Sequence, residues 1–166
     1  MDIIGIDPND KMSTYAQVNA RKARLTGSKP RFTPTGTIAP PNTVRIVHGV
    51  SEALPLQDAS CDAVVCTLTL CSVVDPEASL AEVKRVLKPG GKFLFWEHVL
   101  SETDEDLKRQ QIALTPAQVK RADGCHLDRR TGETIKKAGF DDLDLEYFEL
   151  DNFGFLNPTV AGIATA

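Results

Sequence analysis

The sequence predicts an α/β fold in which a doubly wound, mainly parallel sheet carries helices on both faces. Three observations predict it. Short apolar runs alternate along the chain with helical patterns, as in strands joined by crossover helices. Within residues 87–98, a Lys-Pro-Gly-Gly turn leads directly from a helical pattern into an apolar strand. The chain ends on two strand patterns without a helix between them, which predicts an antiparallel hairpin at the C-terminal edge of the sheet.

The first part of the chain contains two predicted strands, a helix and a long loop. Residues 3–6 and 44–47 are short apolar runs, and the first ends in Asp-Pro-Asn. Residues 10–25 show the helical period, with these side chains on the apolar face: Met12, Tyr15, Ala16, Ala20 and Ala23. Residues 26–42 are rich in proline, glycine and threonine, so we expect a mobile insertion loop there.

A buried strand and a well-capped helix are predicted next. Residues 63–70 are apolar apart from threonine and cysteine, which is typical of a central parallel strand. Asp75 is placed to be the N-cap of the following helix, with Pro76 at its first position. That helix is expected to stop at Pro89 and Gly90.

The rest of the chain is predicted as one strand, two helices and the final hairpin. Residues 93–96 form the strand, and residues 101–111 and 128–138 form the helices. Apolar and acidic side chains alternate over residues 143–147, which predicts a strand with one solvated face. Residues 158–164 are its expected partner.

Composition excludes several classes of protein. The 166 residues fit one domain, and a net charge of -4 argues against a nucleic-acid partner, which needs a concentrated basic surface. No run approaches the roughly 20 apolar residues that cross a bilayer. We therefore expect a soluble, intracellular and cytoplasmic domain.

The sequence predicts no metal site. Cys61, Cys66 and Cys71 stand five residues apart and Cys125 lies far from them, which matches no zinc spacing. We expect the four to be small buried side chains in a reducing compartment. The carboxylates of residues 141–151 alternate with apolar residues at first, so a solvated strand face explains them better than a metal does.

Side chains at the carboxyl ends of the predicted strands are the candidate functional residues, because ligands of open α/β sheets bind beyond those ends. Asp7 follows the first strand, where a carboxylate can accept both hydroxyls of a ribose. Its alternative role is to cap the next helix, with Pro8 setting the turn. His98 and His126 are candidate general bases, and Glu97 can orient an imidazole. The alternative for His98 is a structural role.

Several motifs resemble those of the class I S-adenosylmethionine-dependent methyltransferases, and most closely the methyltransferase-like thiol S-methyltransferases. These motifs are Gly-Ile-Asp-Pro-Asn at residues 5–9, Asp-Ala-Val-Val-Cys-Thr-Leu-Thr-Leu-Cys-Ser-Val at residues 62–73, Arg-Val-Leu-Lys-Pro-Gly-Gly at residues 85–91, and Glu-His-Val at residues 97–99. The resemblance implies a Rossmann-like fold, S-adenosylmethionine as the cofactor, and a small-molecule acceptor such as a thiol. It implies cofactor contacts from these residues: Asp7, Pro8, Val50, Ser51, Cys66, Thr67 and Leu68.

The resemblance also implies a first strand and a Gly-rich turn ahead of Asp7, which this sequence does not contain. We therefore expect one methyltransferase domain over residues 1–166 that is incomplete at its N-terminus and binds the cofactor weakly or not at all. One alternative is a non-catalytic, truncated fragment that serves as a binding or dimerising module, so a homodimer stays open. A nicotinamide oxidoreductase is disfavoured, because the sequence lacks a Tyr-x-x-x-Lys pair and ends in a hairpin.

Overall fold

The computed structural model describes residues 1–23, 25, 31–32, 38–39 and 42–166. They form two compact units, Met1–Val50 and Ser51–Ala166. The predicted loop at residues 26–42 lies mostly outside the described residues. Within it, two short segments form an antiparallel pair. The single domain expected from the sequence stays a prediction.

The helices and strands alternate as the sequence predicts. The strands are β1 (Asp2–Asp7), β2 (Arg31–Phe32), β3 (Ile38–Ala39), β4 (Thr43–His48), β5 (Cys61–Thr67), β6 (Leu87–His98), β7 (Asp142–Phe148) and β8 (Thr159–Thr165). The helices are α1 (Asp10–Lys22), α2 (Pro76–Val86), α3 (Glu105–Arg121) and α4 (Thr131–Lys137), with a 3₁₀ turn at Gly154–Leu156. None of the helices in the described part of the chain combines the length and the hydropathy that a bilayer crossing requires.

The first unit is a parallel pair of strands with one helix. β1 and β4 pair in register from Asp2 opposite Thr43 to the last residue of each strand. Helix α1 packs against both strands and ends earlier than predicted, at Lys22. The predicted apolar face is wrong for Met12 and Tyr15, which are 44% and 66% exposed. Within this unit the two-stranded sheet is too narrow to cover the whole face of the helix.

The second unit is built on a four-stranded sheet in the order β5-β6-β8-β7. β5 and β6 are parallel, whereas β8 runs antiparallel to both β6 and β7. The α/β class and the antiparallel C-terminal hairpin are therefore confirmed. The return strand β8 lies inside the sheet, and β7 forms its edge with an exposed acidic face, as the alternation predicts.

One face of this sheet carries the core. Phe93 and Phe95 of β6 are 0% and 4% exposed, and they pack with residues of α2 and α4. Helix α2 begins as predicted, because the Asp75 side chain accepts a hydrogen bond from the Ala78 N–H at 3.0 Å. The core cluster is Leu70, Leu80, Val83, Leu87, Phe93, Phe95, Val99, Ile135, Val160 and Ala164.

The strand predicted at residues 63–70 is shorter and less buried than a central strand. β5 ends at Thr67, and Val65 is 72% exposed. Among the described residues β5 has a ladder partner on one side only, β6, and its alternate side chains face the core. The prediction of burial on both faces is therefore wrong for this strand.

The glycine turn lies inside β6 rather than ahead of it. β6 begins at Leu87, directly after α2, and residues 88–91 bulge out of the ladder with β5. Gly90 has a φ of +77°, and a Cβ on Gly91 would lie 2.8 Å from the Lys88 carbonyl oxygen. Both glycines are therefore required by the backbone path.

The two later helices have different bounds from those predicted. The helix expected at residues 101–111 is α3, which begins after the N-cap Asp104 and continues to Arg121. Gln111 on this helix is fully buried, whereas Leu114 is 40% exposed. Helix α4 is shorter than the predicted residues 128–138, and Gly139 follows it with a φ of +72°.

We expect Gly162→Ala to destabilise the second unit by at least about 2 kcal/mol, because overpacking of this kind cannot relax easily. A Cβ there would lie 2.7 Å from Phe95 Cζ and 2.9 Å from Leu145 Cα, between β6 and β7. Urea unfolding followed by fluorescence of the single tryptophan, Trp96, measures the change. Gly90→Ala is the control, since it adds the same methyl group in open space and costs about 1 kcal/mol through its positive φ. Equal effects of the two substitutions would contradict the close packing at Gly162.

Candidate functional site

In the first unit, Asp7 ends β1 and retains an unused acceptor. Its Oδ1 accepts a hydrogen bond from the Asn9 N–H at 2.7 Å, while Oδ2 has no hydrogen bond among the described residues. The N-cap of α1 is Asn9, whose side chain accepts from the Lys11 N–H at 3.1 Å. The alternative in which Asp7 caps the helix is therefore wrong. Pro8, between the two, is exposed.

The carboxyl end of β4 lies beside Asp7, because the two strands are parallel and in register. His48 is opposite Asp7, and the Gly49 N–H donates to the Asp7 carbonyl oxygen at 3.3 Å. The His48 imidazole is paired with Asp10, with Nδ1 and Oδ1 2.8 Å apart. Val50 is 45% exposed. The end of this strand pair thus presents a carboxylate and a small apolar side chain.

In the second unit, the buried carboxyl group of Glu97 holds the chain that follows β5. Its Oε1 accepts hydrogen bonds from the N–H groups of Thr69 at 2.9 Å and Leu70 at 3.1 Å. It also accepts from Cys66 Sγ at 3.5 Å. We call residues 68–74 the β5 loop; it begins at Leu68, which has a left-handed φ of +50°. The hydrogen bonds to Glu97 fix the loop directly after this unusual backbone conformation.

The β5 loop is also held from its carbonyl side and at its far end. Arg129 donates hydrogen bonds to the carbonyl oxygens of Leu70 at 2.5 Å and Val73 at 2.7 Å. Glu52 accepts from the N–H groups of Val74 at 2.6 Å and Asp75 at 3.2 Å. Three charged side chains from distant parts of the sequence therefore define one short loop. Sequence reasoning identified neither Glu52 nor Arg129 as functional, because isolated charged residues carry no motif.

Burial raises the pKa of Glu97, although the N–H groups of the β5 loop oppose that shift. Burial also raises the pKa of the Cys66 thiol, and the nearby Glu97 carboxylate adds to the effect. Cys66 is therefore a neutral thiol rather than a nucleophile. Thr67, the next residue, is exposed at the carboxyl end of β5.

His98 is buried on the opposite side of β6 from Glu97, because successive side chains of a strand alternate. Its ring is 2% exposed, and Nε2 lies 3.1 Å from Cys125 Sγ. Its Nδ1 has no hydrogen-bond partner among the described residues. Burial lowers the pKa of His98 to about 4, so the ring is neutral near pH 7. This geometry favours the structural alternative, and the expectation that Glu97 orients this imidazole is wrong.

His126 is the more accessible of the two candidate bases. Its side chain is 38% exposed, and its Nδ1 lies 3.5 Å from Oδ1 of Asp128. Its backbone N–H donates to the Cys71 carbonyl oxygen at 2.8 Å. Asp128, and not Glu97, is therefore the carboxylate that lies beside a candidate imidazole. The His-x-Asp spacing in the sequence was the signal for this pair.

Ser51 is engaged through its hydroxyl group. Its Oγ lies 2.8 Å from the Oγ of Ser79, a residue of α2. The backbone groups of Ser51 are therefore better placed than its hydroxyl group to contact a ligand.

One cavity of the second unit is not lined by any of the predicted site residues. It has a volume of about 490 Å³ and lies between the segment after β6, α4 and β7. Its lining includes Val99, Arg130, Lys136 and Tyr147.

Comparison with known families identifies the chain. Residues 1–95 match the family model described as a methyltransferase domain, and this range includes Asp7, Val50 and Cys66. The chain belongs to the methyltransferase domain family.

Curated relatives extend this result. The methyltransferase domain is 49% identical to the rat thiol S-methyltransferase TMT1B over 92 residues, which are 55% of this chain and 38% of that protein. It is 41% identical to human thiol S-methyltransferase TMT1A over 108 residues, 64% of this chain and 44% of that protein. The chain thus matches less than half of the length of these relatives.

A solved structure confirms the fold. A SAM-dependent methyltransferase from Methanosarcina mazei superposes with a TM-score of 0.68 at 22% identity, covering 99% of this chain and 81% of that one. The match to the methyltransferase domain family supports S-adenosylmethionine as the cofactor.

We expect Glu97→Leu to lower the free energy of unfolding by about 2–5 kcal/mol, because two N–H groups of the β5 loop lose their acceptor. Urea unfolding followed by Trp96 fluorescence measures this. Glu97→Gln is the matched control, since its amide oxygen can still accept both hydrogen bonds, and it is expected to cost about 1 kcal/mol. A leucine variant as stable as the glutamine variant would show that the carboxyl group does not hold the loop.

The hydrogen bonds to Glu52 predict a pH dependence of stability. Burial acts to raise the pKa of Glu52, but the hydrogen bonds from Val74 and Asp75 and its own N–H leave that pKa below the usual 4.5. Because the folded-state pKa of Glu52 is depressed, its ionised carboxylate stabilises the protein above about pH 4.5. This contribution is lost as the pH falls through the folded-state pKa. The stability advantage of wild type over Glu52→Gln should therefore be largest near neutral pH and shrink in acid. Glu146→Gln, on the exposed face of β7, is the control, and an equal pH dependence there would contradict the assignment.

Proposed function

We propose that this chain is the cofactor-binding part of an S-adenosylmethionine-dependent methyltransferase that methylates a small molecule, with a thiol as the favoured acceptor. The observation that carries the proposal is Asp7, a strand-end carboxylate with a free oxygen inside the family-matched segment. The similarity to two thiol S-methyltransferases supports the choice of acceptor.

Asp7 is proposed to bind the ribose of the cofactor. A carboxylate at the carboxyl end of a strand in this fold can accept hydrogen bonds from ribose hydroxyls. Its Oδ1 accepts from the Asn9 N–H, which orients the side chain, and Oδ2 has no hydrogen-bond partner among the described residues. Pro8, exposed beside it, restricts the same turn.

The remaining cofactor contacts are proposed from the ends of the other strands. After β4, Val50 would offer an apolar surface to the adenine ring, and the backbone of Ser51 a hydrogen-bonding group. After β5, Thr67 and Leu68 are exposed and would flank the methionine portion, while Cys66 contributes packing.

The methyl-transfer step requires few catalytic side chains from the protein. An acceptor thiolate attacks the methyl carbon of the sulfonium as the old carbon–sulfur bond breaks, which gives a thioether and S-adenosylhomocysteine. Most of the rate comes from holding donor and acceptor in line and excluding water. A free thiol with a pKa of about 8.5 is partly ionised near neutral pH, so a strong base is not required. His126, oriented by Asp128, is the proposed proton acceptor, and His98 is proposed to position the chain around it.

The alternative of a non-catalytic module receives no support from the relatives, which are enzymes by their names. Cofactor binding without methyl transfer would favour that alternative.

The test measures cofactor binding by equilibrium dialysis with labelled S-adenosylmethionine. Asp7→Asn should weaken binding by about 10-fold or more, because a charge-assisted hydrogen bond is worth about 1.5–3 kcal/mol. Asp2→Asn, at the opposite end of the same strand, is the control and should bind as wild type does. The wild-type affinity also tests the expectation of weak binding by residues 1–166, which micromolar binding would overturn.

The second arm of the test follows methyl transfer to a short alkyl thiol and to the alcohol of the same chain length. Labelled thioether without labelled ether supports the proposed acceptor. Transfer to the alcohol alone would contradict it, and an Asp7→Asn variant with unchanged cofactor affinity would refute the ribose assignment.

A further inference from the structure

Three soft metal-ligating side chains meet in the interior of the second unit. Cys71 belongs to the β5 loop, His98 ends β6, and Cys125 follows α3. Their ligand atoms, two sulfurs and one ring nitrogen, all lie within 4.8 Å of one another. The three residues are 2%, 2% and 7% exposed. None of the three is a proposed cofactor contact or the proposed base.

The distances suit a small thiophilic ion. Zinc binds sulfur at about 2.3 Å and imidazole nitrogen at about 2.0–2.1 Å, so ligand atoms around one ion stand about 3.5–4.0 Å apart. The His98 Nε2 to Cys125 Sγ distance is 3.1 Å, and the whole cluster lies within 4.8 Å. Shifts of less than about 1 Å would therefore seat an ion between the three atoms.

The backbone holds two of the ligands together independently of any ion. The His126 N–H donates to the Cys71 carbonyl oxygen at 2.8 Å. Gly124 has a φ of +83°, and a Cβ there would lie 2.9 Å from the Ser72 carbonyl oxygen. The segments that carry Cys71 and Cys125 are thus packed backbone to backbone, and only glycine fits at that contact. Preorganisation of this kind is what a metal site requires.

We propose that Cys71, His98 and Cys125 bind one closed-shell thiophilic cation, Zn²⁺ or Cu⁺. Binding replaces the two thiol protons, which leave to solvent, with two metal–sulfur bonds and one metal–nitrogen bond. No electron is transferred. Zn²⁺ would keep a fourth position for water or another small ligand, whereas Cu⁺ is satisfied by three soft donors. The bound ion ties the β5 loop to the end of β6 and to the segment after α3.

The test titrates the purified 166-residue chain, reduced and free of metal, with Zn²⁺ in one arm and with Cu⁺ under anaerobic conditions in the other. Each titration competes against a chromophoric chelator of known affinity. We expect one ion per chain in at least one arm, and the tighter cation identifies the metal. Cys71→Ser and Cys125→Ser should each weaken binding by at least about 10-fold, because each substitution removes one of the two sulfur ligands. Cys61→Ser, a free cysteine outside the cluster, is the matched control.

A second measurement does not depend on the folding of any variant. X-ray absorption of the loaded wild-type chain should give two sulfur ligands near about 2.3 Å and one imidazole nitrogen. A spectrum without sulfur ligands, no stoichiometric binding in either arm, or equal affinities of wild type and a folded Cys125→Ser variant would each overturn the proposal.

Discussion

A single buried carboxyl group, that of Glu97, holds the β5 loop, and this loop lies against the segments that carry His98, Cys125 and His126. Glu97 lies at the end of β6 with no exposed surface, and its Oε1 accepts the N–H groups of Thr69 and Leu70. Arg129 engages the carbonyl side of the same loop. Because a buried N–H group without a partner costs about 1–3 kcal/mol, the β5 loop follows the position of Glu97. The strained φ at Leu68 is tolerated for the same reason.

The position of the β5 loop then decides what lies near it. It brings Cys71 close to Cys125 and His98, and through its carbonyl group it holds His126. The two histidines thereby acquire different environments: one is buried beside a thiol, and the other is half-exposed beside a carboxylate. The surroundings, rather than the residue type, therefore distinguish the two imidazoles.

A methyltransferase domain needs few specialised side chains for the transfer itself, because the cofactor carries the reactive group. In this fold the carboxyl ends of parallel strands bind and orient the ligand, and in this chain the parallel pairs β1–β4 and β5–β6 end in residues that we propose as cofactor contacts. Asp7 is a clear example, since its side chain is fixed by one hydrogen bond and offers a second acceptor. Membership of the family and similarity to thiol S-methyltransferases agree with that arrangement.

The sequence by itself determined the α/β class, the family, the capped start of α2 and the C-terminal hairpin, because periodicity, cap residues and short motifs are local signals. Tertiary structure alone decided which side chains meet. Adjacency suggested that Glu97 serves an imidazole, but strand alternation turns it away from His98 and towards the β5 loop. Cys71 and Cys125 looked unrelated because their contact depends on loop packing across 53 intervening positions, which no spacing pattern encodes. The exposure of one face of β5 could not be predicted for the same reason. Composition indicates that a strand is apolar, but only the neighbouring elements decide whether its face is covered.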